Sequence, residues 1–219
     1  MINPCYVPKL IHQITGPKAT PLINQCLKSW QILRQQDFKI VIWNDSSLEE
    51  FLKRHYKFAL EAFIKARNHA EAADIARYLL IHLFGGYYID WDIELINMQE
   101  FIQLRNRHIN GFLLQDPDNN TIASEFFCAA PGDPYLLNLS RDIVNLFDSN
   151  ERESLTTPFY SGPYRMGQSL NLNPQTQMSI VKIKDVFAYD YKEIRNIPQG
   201  KPTQPMVHYW AHSWLKTDY

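Results

Sequence analysis

Two observations place this 219-residue chain among α/β proteins with a mixed, mostly parallel central sheet flanked by helices. Its first half alternates strand-like and helix-like segments, the order that builds parallel sheets with helical crossovers. The short apolar run Tyr87 to Ile89 follows a long helical segment through Gly85-Gly86, and reads as a buried strand entered by a glycine turn.

Lys9 to Ile14, apolar-rich after Pro8, is the first expected strand. Pro21 to Gln36 carries Leu22, Ile23, Cys26, Leu27, Trp30 and Leu33 at helical spacing, which predicts one amphipathic helix. Phe38 to Trp43 reads as a second buried strand, and Asn44-Asp45-Ser46-Ser47 as a cap cluster opening a helix near Leu48 to Tyr56. A further helix is expected over Phe58 to Arg67. His69 to Phe84 is the clearest helix, with Ala73, Ala76, Leu80 and Leu83 on one stripe and Gly85 as its stop. Gly111 to Gln115 and Thr121 to Ala130 read as strands around the turn Asp116-Pro117-Asp118. Then come a helix over Pro134 to Phe147, a long polar loop from Asp148 to Pro163, and a strand over Met178 to Ile183. Arg195 to Pro205, with three prolines and a glycine, precedes a last strand, Met206 to Trp210. No repeat, low-complexity tract or linker interrupts the chain, so one domain over residues 1–219 is expected.

A hydrophobic fraction of 45% and a charged fraction of 21% are those of a soluble globular protein with a full core. The formal net charge of −1 gives no basic surface for a polyanion, so nucleic acid is not an expected partner. Cys5, Cys26 and Cys128 are odd in number and widely spaced, fit neither a disulfide framework nor a zinc pattern, and point to a reducing compartment. With no apolar run of membrane-spanning length and no signal-peptide shape, a cytoplasmic location is expected, free or peripheral to the membrane. Non-classical export fits the same sequence.

Chemistry concentrates at Asp90-Trp91-Asp92. In an extended chain the two carboxylates would point to one side and Trp91 to the other. Two unit charges about 6 Å apart at an effective dielectric of about 20 repel by roughly 3 kcal/mol. A hard divalent cation shared with substrate phosphates would compensate them. Asp-x-Asp alone is a common surface motif; its place after an apolar strand and a Gly-Gly makes it specific. Asp74 and Arg77, three apart, share one face of the preceding helix. Spacing allows either an ordinary intrahelical ion pair or a pair presented to the Asp90 strand end, Arg77 for a phosphate and Asp74 for a sugar hydroxyl. Near the C-terminus, His208 and His212 stand beside Trp210 and Trp214. They are either solvated groups on an aromatic strand or part of the closure of a metal–phosphate site.

The block Ala73-Asp74-Ile75-Ala76-Arg77-Tyr78, followed by Leu83-Phe84-Gly85-Gly86-Tyr87-Tyr88-Ile89-Asp90-Trp91-Asp92, resembles the signature of glycosyltransferase family 32. That family includes yeast initiating mannosyltransferases and bacterial capsular and surface-polysaccharide transferases. The block is also similar to the catalytic domain of large clostridial glucosylating toxins. Val7 to Ile14, Cys26 with Ser29-Trp30, Ile42 to Asp45, Ala129 to Pro134, Gly162-Pro163, and His208 with Ser213-Trp214 extend the resemblance nearly end to end. It implies a GT-A-type nucleotide-sugar-binding domain, bound Mn²⁺ or Mg²⁺, and transfer of a hexose with retention at the anomeric carbon. By the same resemblance Asp92 and Asp90 ligate the metal, with His208 or His212 completing its shell. Asp74, Arg77, Asp90 and Ile14 hold the donor, and Ser213 and Trp214 touch its diphosphate. Asp90, Asp92 and Arg77 are the expected catalytic residues.

Two positions depart from the family. Thr15 stands where members usually carry the Trp that stacks on the base, which leaves the choice of base open; a UDP-sugar is the favoured donor, with a GDP-sugar as alternative. Glu125 replaces a usual Asn and is assigned to donor binding, with contact to the acceptor sugar or a buried position without a catalytic role as alternatives. The expected acceptor is a glycan or lipid-linked glycan, reached through the 148–163 loop with Tyr160 and Tyr164. A toxin- or effector-like enzyme modifying a protein is the alternative, ahead of a non-catalytic sugar-nucleotide-binding module. An Asp-dependent phosphatase would need Thr or Val two residues after Asp92, where Glu94 stands.

Overall fold

The structure is a computed structural model that describes residues 6–16 and 18–211. Its first strand, β1 (Leu10–Ile14), leads into α1 (Pro21–Ser29), which is capped by the Thr20 side chain. The single helix expected over residues 21–36 breaks at Ser29, whose hydroxyl donates to the Cys26 carbonyl, and residues Trp30–Gln36 continue as a 3₁₀ helix. Then follow β2 (Lys39–Trp43), α2 (Asp45–His55), α3 (Leu60–Ile64), α4 (His69–Phe84) and β3 (Gly86–Ile89). The Asn44 capping box starts α2 three residues before its expected beginning. β4 (Ile93–Leu95) and α5 (Met98–Arg107) come next, neither of them expected from the sequence. β5 (Gly111–Asp116), β6 (Thr121–Ala129) and α6 (Pro134–Asp148) lie close to their expected bounds. The 148–163 segment is not the loop expected. It holds a 3₁₀ turn (Glu151–Ser154) and α7 (Thr157–Tyr160), and runs into α8 (Pro163–Leu172). β7 (Ser179–Lys182) and β8 (Met206–His208) complete the elements.

Six strands form one sheet in the order β2-β1-β3-β6-β5-β7, and β4 pairs with β8 in a separate two-stranded ribbon. β1 runs parallel to β2 and β3, and β5 parallel to β7, whereas β6 is antiparallel to β3 and β5. The sheet is therefore mixed. Side chains alternate along its strands between two cores. Tyr88, Leu113 and Phe127 join α2, α4, α6 and α8 on one face, and Tyr87, Phe112 and Phe126 join Trp30 and Phe101 on the other. β2 is an edge strand instead of the buried one expected, and Ile42 is half exposed. Among the described residues no helix is long and apolar enough to cross a membrane.

α4 is the central helix, buried on more than the single stripe the sequence suggested: Ile75, Tyr78, Leu79 and Ile81 are enclosed together with Ala73, Ala76 and Leu80. It ends on Gly85 (φ 64°), followed by Gly86 (φ 101°), conformations that disfavour any side chain. At Gly86 an added Cβ would lie 2.3 Å from the Leu10 carbonyl oxygen, so the close approach of β3 to β1 requires glycine. The turn is held by His12, whose Nε2 lies 3.2 Å from the Gly85 carbonyl. Its Nδ1 accepts from Trp43 Nε1 at 3.1 Å. Burial lowers the His12 pKa to about 4, which keeps the ring neutral and fits one nitrogen donating while the other accepts.

Candidate active site

The segment Asp90 to Asp92 is a turn, not the extended stretch expected. The Asp90 N–H donates to the Glu125 carbonyl at 2.9 Å, and the Ile93 N–H returns to the Asp90 carbonyl at 3.2 Å. The chain thereby leaves the large sheet and enters the β4–β8 ribbon. Both carboxylates and Trp91 line one cavity of about 790 Å³, so Trp91 does not face away as alternation required. Its ring covers Gly16, where an added Cβ would meet it at 2.7 Å.

Arg77 ties this turn to α4. Its guanidinium lies 3.3 Å from Asp74 Oδ1 and 3.5 Å from Asp90 Oδ1, and donates to the Ser124 carbonyl at 2.8 Å. It also stacks 4.5 Å from the Tyr88 ring centroid, and the Tyr88 hydroxyl donates to Asp90 Oδ1 at 2.5 Å. Of the two readings of the Asp74–Arg77 spacing, both hold: they form an intrahelical pair, and that pair faces Asp90. Burial opposes the Arg77 charge, but Asp90, Tyr88 and Asp74 outweigh it and raise its pKa further.

Ser161, unremarked in the sequence, donates from its hydroxyl to Asp74 Oδ2 at 2.8 Å, and its own carbonyl accepts from Tyr78 at 2.7 Å. Its only sequence signal was the neighbouring Gly162-Pro163. Burial lifts the Asp74 carboxyl to about 6, against the opposing pull of Arg77 and Ser161. A folded pKa above the unfolded one gives stability that is fully present below the ordinary value of 3.8 and is lost as pH rises through 6. Stability is thus expected to fall by up to about 3 kcal/mol across that window, and Asp74→Asn to remove this dependence. Urea-unfolding midpoints measured in a pH series check both.

Asp92 stands in a second cluster. Its Oδ1 is 3.5 Å from His208 Nε2, and its Oδ2 accepts from the Ala211 N–H at 2.8 Å. Its carbonyl accepts from the Tyr209 N–H at 3.1 Å. Burial works against the Asp92 charge, yet His208 and the Ala211 N–H outweigh it and hold the carboxyl below its ordinary range. His208 is raised in turn, because Asp92 and Glu125 overcome its own desolvation. Glu125 Oε1 lies 3.8 Å from His208 Nδ1, and burial pushes the Glu125 carboxyl up. Among the described residues, His208 Nδ1 and Arg77 Nε are buried without a hydrogen-bond partner. Among the described residues, no three His, Cys, Asp or Glu side chains are already gathered at metal-holding distances.

The structure thus brings Asp74, Arg77, Asp90, Asp92, Glu125 and His208 into one neighbourhood. Ile14 is placed elsewhere: its side chain is packed in the core beneath the sheet. Tyr160 is fully buried, which corrects its expected contact with an acceptor, and Tyr164 stacks on Phe159 at 4.2 Å. His212, Ser213 and Trp214 lie outside the described residues, as does Cys5. The cavity wall includes residues that the sequence did not single out: Ser124, Phe187, Tyr189, Asp190 and Tyr191.

A mixed sheet with helices on both faces, and an Asp-x-Asp turn where the central strand leaves it, define the GT-A type of glycosyltransferase fold. Residues 21–108 match the family described as "Glycosyltransferase sugar-binding region containing DXD motif". It is 25% identical to inositol phosphoceramide mannosyltransferase 3 of Schizosaccharomyces pombe over 72% of this chain and 43% of that protein. It is 33% identical to mannosyl phosphorylinositol ceramide synthase SUR1 of Saccharomyces cerevisiae over 41% of this chain and 24% of that protein. The chain spans less than half the length of these curated relatives. Among solved structures, the PaToxG glycosyltransferase superposes with a TM-score of 0.56 at 17% identity, covering 77% of this chain and 71% of that one. Streptococcus pneumoniae GlyE superposes with a TM-score of 0.53 at 13% identity, covering 96% of this chain and 56% of that one.

Proposed function

We propose that this chain transfers a hexose from a nucleotide-sugar donor to a hydroxyl of a glycan or lipid-linked glycan, with retention at the anomeric carbon. The observation that carries the reading is Arg77, a buried cation joining Asp74 on α4 to Asp90 at the cavity wall, one residue from the Asp92–His208 pair. Asp74 accepts from donor hydroxyls, and Arg77 faces the phosphate that leaves. Mannose as the sugar is supported by the names of the yeast relatives.

The donor set also suits Mn²⁺ or Mg²⁺, being rich in carboxylate oxygen with one imidazole whose Nδ1 is unpartnered. Asp92, Asp90 and His208 would hold the ion, with His212 beyond the described residues as a further ligand. When bound, it supplies positive charge where the diphosphate departs. Arg77 adds fixed charge that needs no reorganisation. No carboxylate stands isolated as a nucleophile, so attack from the face the diphosphate leaves is the preferred route to retention. Diphosphate contact by Ser213 and Trp214, which lie outside the described residues, is part of this proposal.

The test is a screen of UDP- and GDP-linked hexoses for hydrolysis with and without Mn²⁺. One sugar nucleotide is expected to be cleaved only with the metal, and a generic aryl phosphate to be untouched. Cleavage of the aryl phosphate, or metal-dependent binding of the donor without hydrolysis, would overturn the proposal in favour of a phosphatase or a binding module.

A further inference from the structure

The cavity is longer than the charged site at its edge. From Asp90 and Asp92 it runs away from β1 and β2, beneath the β5–β6 turn, to the segment that follows β7. We infer that this far end is the acceptor subsite, and that it selects a neutral, hydroxyl-rich ring, a sugar or polyol without phosphate on the part that enters. The inference rests on the transferase reading above.

Three features of the far end support it. The first is its balance of charge. Asp116, Asp118 and Asp190 line it, against Lys184 and Lys192. Lys184 and Asp190 offset one another at 3.0 Å, with Glu193 also on Lys184, whereas Asp116 and Asp118 have no ion-pair partner among the described residues. The near-end carboxylates are offset by Arg77 and His208, so an entering phosphate would be opposed chiefly by Asp116 and Asp118 on one side and by the donor diphosphate on the other. Neutral hydroxyls, in contrast, can donate to these oxygens.

Aromatic surface is the second feature. Tyr189, Tyr191 and Trp210 line the cavity. Tyr191 is 46% exposed, with the Arg195 guanidinium on its ring at 3.5 Å and Trp210 edge-on at 6.1 Å. Trp210 is stacked on His208 at 4.1 Å, so this aromatic wall continues directly from the Asp92 cluster. Faces and edges of this kind suit the C–H surfaces of a sugar ring, and leave its hydroxyls to the carboxylates opposite.

Third, the wall is braced before any ligand arrives. Asp116 accepts from the Asp118 N–H at 2.9 Å and from Asn119 Nδ2 at 2.8 Å. Asp190 Oδ1 accepts from the N–H groups of Lys192 and Glu193, both at 2.8 Å. A site ordered in advance loses less entropy on binding.

The experiment compares methyl hexosides and hexobioses with the same sugars carrying a 6-phosphate. Both series are assayed as acceptors with the donor that the screen identifies, and by ligand-observed NMR without donor. Neutral acceptors are expected to bind and react, with phosphorylated ones at least about tenfold poorer in kcat/KM. Asp118→Lys, at an exposed turn, is expected to shift that ratio about fivefold or more toward the phosphorylated series. Metal-dependent donor hydrolysis should be unchanged in this variant. Tyr191→Ala should raise KM for the neutral series. Phosphorylated sugars that bind or react as well as neutral ones, or a ratio unmoved by Asp118→Lys, would overturn the inference and leave the transferase intact. Absence of donor hydrolysis would instead remove the transferase reading, and the NMR comparison would still decide for or against a neutral-ring subsite.

Discussion

Asp92→Asn is expected to lower metal-dependent donor hydrolysis by at least about 100-fold while melting within about 3 °C of the wild type. The substitution separates two functions of one side chain. Asn keeps an oxygen that accepts the Ala211 N–H, so the anchor of the last strand survives. It removes the negative charge that His208 faces at 3.5 Å and that the proposed cation requires. The His208 pKa, raised mainly through Asp92 against burial, should fall back with it, and NMR titration of the imidazole reads this change without any turnover. Asp92→Ala loses the anchor as well, so it should be both inactive and less stable. Wild-type-like hydrolysis by Asp92→Ala or Asp90→Ala would overturn the assignment of the site.

Arg77→Met is expected to be the most destabilising change at the site. Arg77 and Asp74 side chains are each 5% exposed, and the guanidinium is the one cation in contact with both Asp74 and Asp90 among the described residues. Removing it leaves two carboxylates uncompensated and the Ser124 carbonyl without this donor. Breaking a buried pair in this way costs about 3–5 kcal/mol. For a chain of this size that corresponds to a fall in Tm of roughly 10 °C. Arg77→Lys restores a charge but not the fork that reaches Asp74, Asp90 and Ser124 together. It should recover part of the stability and little of the activity. Thermal scans beside donor hydrolysis separate the two, and an Arg77→Met protein as stable as the wild type would show that the pair contributes nothing to the fold.

The strands were readable because an apolar run such as Tyr87 to Ile89, entered through Gly85-Gly86, is too short for a helix and too apolar for a loop. The elements that escaped had weak signals for physical reasons. β4 is three residues long, and α5 buries only Phe101 and Leu104, too few to set a helical period. Pro158 and Pro163 look like helix breakers, yet they occupy the first turns of α7 and α8, where proline has no N–H to lose. In the site, Asp74, Arg77 and Asp90 were legible because helix spacing and a short glycine link confine them. Asp-x-Asp spacing is the same in a strand and in a turn, so the direction of Trp91 was not readable. The meeting of Ser161 with Asp74, and of Glu125 with His208, depends on segments more than 80 positions apart that only the assembled sheet brings together.

The ribbon of β4 and β8 sets an order in time. The large sheet is complete once Lys182 has been made, since β7 is its last strand. Among the described residues, Asp92 takes its hydrogen-bond and ion-pair partners from His208, Tyr209 and Ala211. The scaffold around α4 and the Arg77–Asp90 contact therefore draw on residues that precede β8, whereas the contacts of Asp92 do not. Completion of the Asp92 cluster is thus expected to depend on β8, and a chain truncated before Met206 to keep the Arg77–Asp90 contact while losing the Asp92–His208 pair.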